Sequence, residues 1–328
     1  MEISNKYIFF DTNMWLKILS KKSEINRDLL ENLQKKNQFG MYNISLIEIL
    51  MRFYRKKNFK KIKEVLKYIN VNINNEKLVI GNINSPNFNI NESKIMELMN
   101  KNDDDILSAA IEEFKKNRFE FKSSIIALWI VILLEIYSPA FTDDKSKVDD
   151  IVRCFESKSS KIKDIFVKYF YETEESELKS KNLRDITNKV FKEIFNEVAK
   201  ETNIIHNQNY ILMQNEISKL APNQSISYVF KGVYDSELMS VYRRRIDAGL
   251  DKYFHSEIFK DIFYKRLKAF MQGECLQKND VEDMLMLSVL EKDNNIILVT
   301  DDNKMISYIK NNKYNIGNKI HDSLINKI

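Results

Sequence analysis

Two short apolar runs, one near each end of the chain, stop abruptly at carboxylates. Tyr7-Ile8-Phe9-Phe10 leads into Asp11-Thr12-Asn13, and Ile296-Ile297-Leu298-Val299 leads into Thr300-Asp301-Asp302. Runs of β-branched and aromatic residues closed by turn-forming polar residues predict buried strands of a parallel sheet. Phe39 to Ile44 predicts a second strand after a helical segment over 24–36, Tyr314 to Ile316 a later one, and Lys77 to Ile80 one more. Between the ends the apolar period changes. Ile162, Ile165, Phe166, Tyr169 and Phe170 recur at helical spacing, and Leu178, Leu183, Ile186, Val190, Phe191 and Ile194 continue it. No glycine occurs between Gly81 and Gly232, and prolines stand only at 86, 139 and 222. That stretch is therefore expected to be helical almost throughout, with turns at Pro139 and Pro222. The expected fold class is α/β: residues 1–84 and 276–328 form a parallel sheet flanked by helices, and 85–275 form a large all-α insertion.

Composition adds limits rather than direction. With 328 residues and 44% hydrophobic content, the chain has material for one large domain or two ordinary ones. The net charge of +5, from 52 Lys and Arg against 47 Asp and Glu, fits a nucleic-acid partner but is equally a solubility device. Cys154 and Cys275 lie far apart without metal-ligand spacing, so a reduced, cytoplasmic protein is expected. No signal peptide is read at the N-terminus. The apolar run from Ile125 to Leu134, closed by Glu135, is too short to span a bilayer and reads as a buried helix, with no membrane partner.

The candidate chemistry lies in the acids. Ligands of open α/β sheets bind beyond the carboxyl ends of strands, so Asp11 and the 301–302 pair would open onto one crevice. Acids sharing a crevice repel one another unless a cation joins them. Glu48 follows the second strand, three residues after Ser45, which is read as a helix N-cap; a simple capping box is the alternative. Asp280 and Asp283 stand at i and i+3 on one face of a helix whose Met284, Leu287 and Leu290 would anchor it, with Glu282 turned to solvent. Dipole stabilisation of a helix start is the bland alternative for that pair, and the better explanation of Asp103-Asp104-Asp105.

In this order the motifs resemble those of PIN-domain nucleases: the DTN opening at Asp11-Thr12-Asn13, the Ser45–Glu48 pair, Asp280–Asp283 and the T-x-D of Thr300-Asp301-Asp302. The resemblance covers about residues 1–60 and 278–325, and the gap between Glu48 and Asp280 is far longer than in a minimal PIN domain. It implies a PIN-like sheet and metal-dependent hydrolysis of RNA phosphodiesters. Asp11, Glu48, Asp283 and Asp302 would hold Mg²⁺ or Mn²⁺, with Asp280 and Asp301 as further ligand candidates, since hard cations take carboxylate oxygens. Asn13 and Thr300 would orient carboxylates or water. Spacing favours Asp302 over Asp301 as the fourth acid.

Basic clusters complete the picture. Arg52, Arg55, Lys56, Lys57, Lys60, Lys61 and Lys63 follow Glu48, interleaved with Phe53, Tyr54 and Phe59, and Arg243-Arg244-Arg245 stand apart. They suit phosphates and exposed bases; a solvated helix face with core aromatics is the alternative. An aspartyl-nucleophile phosphatase is disfavoured by Asn13, where it would want a second acid. His206, His255 and His321 are scattered and read as structural or surface residues. The expected partner is RNA, single-stranded or structured, tRNA included; single-stranded DNA is the rival substrate, and an inactive binding module the rival class. A protein partner on the helical insertion and homo-oligomerisation stay open.

Overall fold

Residues Tyr7–Phe10 (β1) and Ile296–Val299 (β3) form strands, and they pair with each other in parallel, Tyr7 opposite Ile296 and Phe10 opposite Val299. The computed structural model describes residues 6–20, 27–72, 103–142, 144–173, 180–221, 224–229, 250, 256–275, 277, 279–291, 294–303, 305–306 and 320–321. By contact the chain divides into two units, the first comprising 1–118, 256–259 and 282–328, the second 119–255 and 260–281.

In the first unit, β2 (Gln38–Gly40) pairs with β1, and β4 (Ile320–His321) pairs with β3, giving a parallel sheet in the order β2-β1-β3-β4. Ile8, Phe9, Phe10 and all of β3 are buried, as strands covered on both faces must be, which explains their unbroken apolar runs. Helix α1 (Thr12–Leu19) starts directly after β1 because the Asp11 carboxylate accepts the Met14 N–H as an N-cap, and it buries Met14, Trp15, Ile18 and Leu19. Phe10 packs edge-on against both Trp15 and Phe39, with ring centroids 5.2 Å apart in each pair. Helices α2 (Arg27–Lys36), α3 (Asn43–Tyr54) and α4 (Phe59–Asn72) follow. Helix α11 (Asp280–Ser288) is tied to the start of α3 by the Tyr42 hydroxyl, which donates to the Leu285 carbonyl.

Helix α5 (Asp104–Tyr137) begins in the first unit and ends in the second. Asp103 caps it, accepting the Asp105 N–H at 2.8 Å, so the acidic triplet is a helix start. Its segment 125–134 is buried apart from a half-buried Leu128. By length and composition 104–141 is apolar enough to cross a membrane, but 78% of its most apolar window is buried inside the protein. The second unit continues with α6 (Lys145–Ser157), α7 (Ser159–Glu172), α8 (Ser180–Glu201), α9 (Gln208–Ser218) and most of α10 (Glu257–Met271). Pro139 sits in the 3-10 turn Ser138–Phe141 between α5 and α6. Aromatic pairs fill this core: Trp129 stacks on Phe263 at 4.9 Å, and Phe141 meets Phe195 at 4.6 Å.

The α/β expectation, a PIN-like parallel sheet flanked by helices, is overturned. Among the described residues helix makes up 77% and strand 5%. The strands are two to four residues long, too short for a sheet that organises the chain, and helices follow closely after β1 and β2. The second strand in particular ends at Gly40, and α3 already begins at Asn43. The strands expected over 77–80 and 314–316 lie outside the described residues, as does Pro222.

Gly40 has no room for a side chain, since a Cβ there would lie 2.4–2.9 Å from Phe9 ring atoms. That ring is fully buried and held edge-on by Tyr42, so it cannot retreat cheaply. Gly40→Ala is expected to destabilise the protein by about 1–3 kcal/mol, the cost of overpacking. The check is a lowered urea midpoint with an unchanged slope.

Candidate functional site

Parallel register sets the site. Phe10 lies opposite Val299, and the Asp11 N–H donates to the Val299 carbonyl at 3.1 Å, so Asp11 and Thr300 leave neighbouring strands side by side. The Thr300 hydroxyl donates to Asp11 Oδ2 at 2.5 Å, and the Met14 N–H donates to Oδ1 at 2.7 Å. Asp11 is 4% exposed and Thr300 fully buried. Burial pushes the Asp11 carboxyl above its ordinary value, the Thr300 and Met14 hydrogen bonds pull it back, and the charges of Asp301 and Asp302 raise it further. Asp301 is exposed and pairs with Lys17 at 2.7 Å. Asp302 starts a helical turn, its carboxylate accepting the Met305 N–H at 3.1 Å, while its own N–H donates to Thr300 Oγ1 at 3.0 Å.

Thr12, the next residue along from Asp11, leads to a second group of acids. Its hydroxyl donates to Glu48 Oε2 at 2.5 Å and lies 3.2 Å from the Ser45 hydroxyl. Arg118 Nη2 donates to Glu48 Oε1 at 2.7 Å and to Glu282 Oε1 at 3.2 Å. Arg118 and Glu282 are 4% and 3% exposed. Two corrections follow. Ser45 is not an N-cap: α3 begins two residues earlier, after Tyr42, and Ser45 is buried against Thr12. The capping-box alternative for Glu48 goes with it. Glu282 does not face solvent, because the Arg118 guanidinium in the interior compensates its charge.

Arg118 is the residue that sequence reasoning missed. The signal was present: Leu107, Ala110, Ile111, Phe114 and Arg118 recur at intervals of three and four, and the others on that stripe are buried. A charge at an apolar position of a helical stripe needs a buried partner.

The other expected residues are placed as follows. Asp283 is half-buried on α11, and Asn13 is exposed on α1. Asp280 belongs to the second unit, where Arg266 pairs with it at 2.8 Å and it accepts the Gln277 N–H at 2.7 Å. Arg52, Arg55, Lys56, Lys57 and Lys60 are exposed around the α3–α4 turn, with Tyr54 and Phe59 packed edge-on at 6.0 Å beside them. Lys61 instead donates to the Leu19 carbonyl at the end of α1, and Lys63 pairs with Asp104 at 2.7 Å. Arg243, Arg244, Arg245 and His255 lie outside the described residues.

Among the described residues, no three His, Cys, Asp or Glu side chains form a cluster that encloses a metal ion. The donor set nevertheless suits one hard cation. Mg²⁺ keeps several waters and is held by one or two carboxylates. Each Asp11 oxygen has one protein hydrogen bond and a further lone pair, and Asp301 and Asp302 are near enough to raise its pKa. Compared with known proteins, the chain matches no family model, no curated protein and no solved structure.

Because its folded-state pKa is raised, Asp11 favours folding when protonated, and that contribution is lost as pH rises through the raised value. In metal-free buffer Asp11→Asn is therefore expected to be more stable than the parent at neutral pH. The two should converge below the ordinary aspartate value of about 4. Urea denaturation across pH in the presence of a chelator measures the difference.

Proposed function

We propose that the protein is a metal-dependent nuclease that hydrolyses RNA phosphodiester bonds at the carboxylates beyond β1 and β3. The observation carrying this reading is the convergence of Asp11, Asp301 and Asp302 beyond adjacent strand ends, where Thr300 bonds to both the Asp11 carboxylate and the Asp302 N–H. The order of acidic motifs that resembles PIN-domain nucleases agrees with it, although the reading does not rest on that family's sheet.

Asp11 and Asp302 would hold the Mg²⁺ or Mn²⁺, with Asp301 beside Asp302 in the chain and Asp283 on α11 as further ligand candidates. A bound ion of this kind lowers the pKa of water and neutralises charge on a phosphoryl oxygen. The protein's own part is orientation. Thr300 and the α1 amide hold Asp11 in one rotamer, and Thr12 and Arg118 fix both oxygens of Glu48.

Substrate contact is assigned to the α3–α4 turn, where exposed Arg52, Arg55, Lys56 and Lys57 lie on or just beyond the helix that carries Glu48. Lys57 has φ 49°, the left-handed region, where a lysine costs about 1 kcal/mol relative to glycine. Strain of this sort at an exposed basic tip is consistent with a binding role. Single strands or loops are the favoured substrates, because duplex RNA hides its bases.

Matched RNA and DNA oligonucleotides incubated with Mg²⁺ or Mn²⁺ test the reading. RNA cleavage is expected, abolished by chelator and reduced at least ~100-fold by Asp11→Asn, the order seen when a key catalytic electrostatic group is removed. Cleavage of DNA alone would reassign the substrate, and an Asp11→Asn protein as fast as the parent would remove the enzymatic reading. Lys57→Gly should stabilise the fold by about 1 kcal/mol while weakening oligonucleotide binding. Replacing Arg55, Lys56 and Lys57 together by Ala should lower the salt slope of single-strand binding by roughly two, at about 0.7 per lost phosphate contact.

A further inference from the structure

We infer that the turn between α3 and α4 docks single-stranded nucleic acid in its own right. Tyr54 is the ring on which one base stacks, and Lys56, Lys57 and Lys60 are the phosphate contacts. Docking there needs neither a metal ion nor the acids beyond β1 and β3. This deepens, and rests on, the reading of that turn as the substrate contact.

No Asp or Glu stands between Glu48 and Glu64, while basic residues recur through the stretch. Folding uses only part of that charge. Lys61 donates to the Leu19 carbonyl and pairs with Glu64 at 3.3 Å, and Lys63 pairs with Asp104 at 2.7 Å. Arg52, Lys56, Lys57 and Lys60 are exposed and meet no acid among the described residues. The helix dipole accounts for Arg52 in the last turn of α3. It does not account for Lys60, which stands in the first turn of α4, where a cation is disfavoured. Nor does the turn itself ask for a lysine at 57. The Asn58 N–H donates to the Phe53 carbonyl at 3.0 Å and the Lys57 N–H to the Tyr54 carbonyl at 2.8 Å. In that helix-ending pattern the left-handed residue is usually glycine, and here it is Lys57. The same two bonds hold the tip in one shape, so its cations are presented from a fixed frame.

Charge of one sign at this density attracts a polyanion, and the aromatic residues decide which. Tyr54 closes α3 half-buried, packed edge-on with Phe59 at 6.0 Å. Its hydroxyl meets no protein partner among the described residues. A half-exposed ring backed by a second ring and flanked by cations suits an unpaired base; in a duplex the base faces are already covered. An anionic membrane would want apolar side chains to insert. None of the large exposed hydrophobic residues among those described lies on this turn.

Fluorescence anisotropy of a labelled oligouridylate, with chelator present, tests this on the parent and on Asp11→Asn. Both are expected to bind with similar affinity, and a duplex of the same length more weakly. Tyr54→Ala should weaken binding roughly 5- to 150-fold, the worth of one base stacked on an aromatic ring, and leave the salt slope unchanged. Tyr54→Phe should bind as the parent does. Lys60→Ala should instead lower the slope by about 0.7. Near-ultraviolet circular dichroism establishes that each variant is folded. If Tyr54→Ala is not, Tyr54→Leu, which keeps an apolar body against Phe59 but has no flat face, takes its place with the same expectation. No binding by the parent or Asp11→Asn in chelator, or undiminished binding by the folded Tyr54 variant, overturns the inference. Equal affinity for the duplex, or a preference for phosphatidylserine vesicles, overturns it too. Metal-dependent RNA cleavage by the parent in any of those cases leaves the nuclease reading intact. An oligonucleotide held at this turn by a protein that cleaves nothing keeps the inference and removes the nuclease reading.

Discussion

Strands β1 and β3 lie almost the whole chain apart, yet they hydrogen-bond residue for residue, and everything at the candidate site depends on that pairing. Parallel strands cannot be joined by a tight turn, so the connection must leave the sheet and return. Here it includes α1 to α4 and the whole helical second unit before the chain comes back at Ile296. The hydrogen bond from Thr300 to Asp11 spans 289 positions and joins two buried groups. Closure of so long a loop costs entropy before any contact rewards it, but the cost rises only logarithmically with length. Seven buried apolar positions, Ile8 to Phe10 and Ile296 to Val299, offset it.

Two ways of accommodating buried acids stand side by side at the ends of these strands. Asp11 is held by neutral hydrogen-bond donors, which stabilise a carboxylate without cancelling its charge. Glu48 and Glu282 share a guanidinium, whose positive charge offsets one of their two negative charges. Thr12 links the two arrangements, being adjacent to Asp11 in the chain and bonded to Glu48 across space. Arginine suits the shared position better than lysine would, because its planar fork presents several donors in fixed directions and is weakly hydrated.

The second unit is built differently. Its helices meet through aromatic side chains, with Trp129 on Phe263, Phe119 on Phe170 and Phe191 on Phe270 all stacked. A buried acid there is paired within the unit: Asp280 meets Arg266 and accepts the Gln277 amide N–H. The period of the apolar positions in 159–201 foretold those helices closely, since packing of a helix face needs only a regular stripe.

Local chemistry was legible from the residues: the two apolar strands and their acidic ends, the capped start of α5, the turn at Pro139, and the amphipathic helices of the second unit. Each depends on neighbours within a few positions. What the residues left open was how much sheet four short runs could make and which acids would find a cation. The runs were too brief to organise an α/β fold among so many helix formers, so the described residues are largely helical and the sheet small. Ser45 looked like a cap and Glu282 like a surface acid because both readings assume solvent or backbone as the partner. Only tertiary packing brought Thr12 to the first and Arg118 to the second, and a buried ion pair is decided by what lies across the interior, not by the residues alongside it.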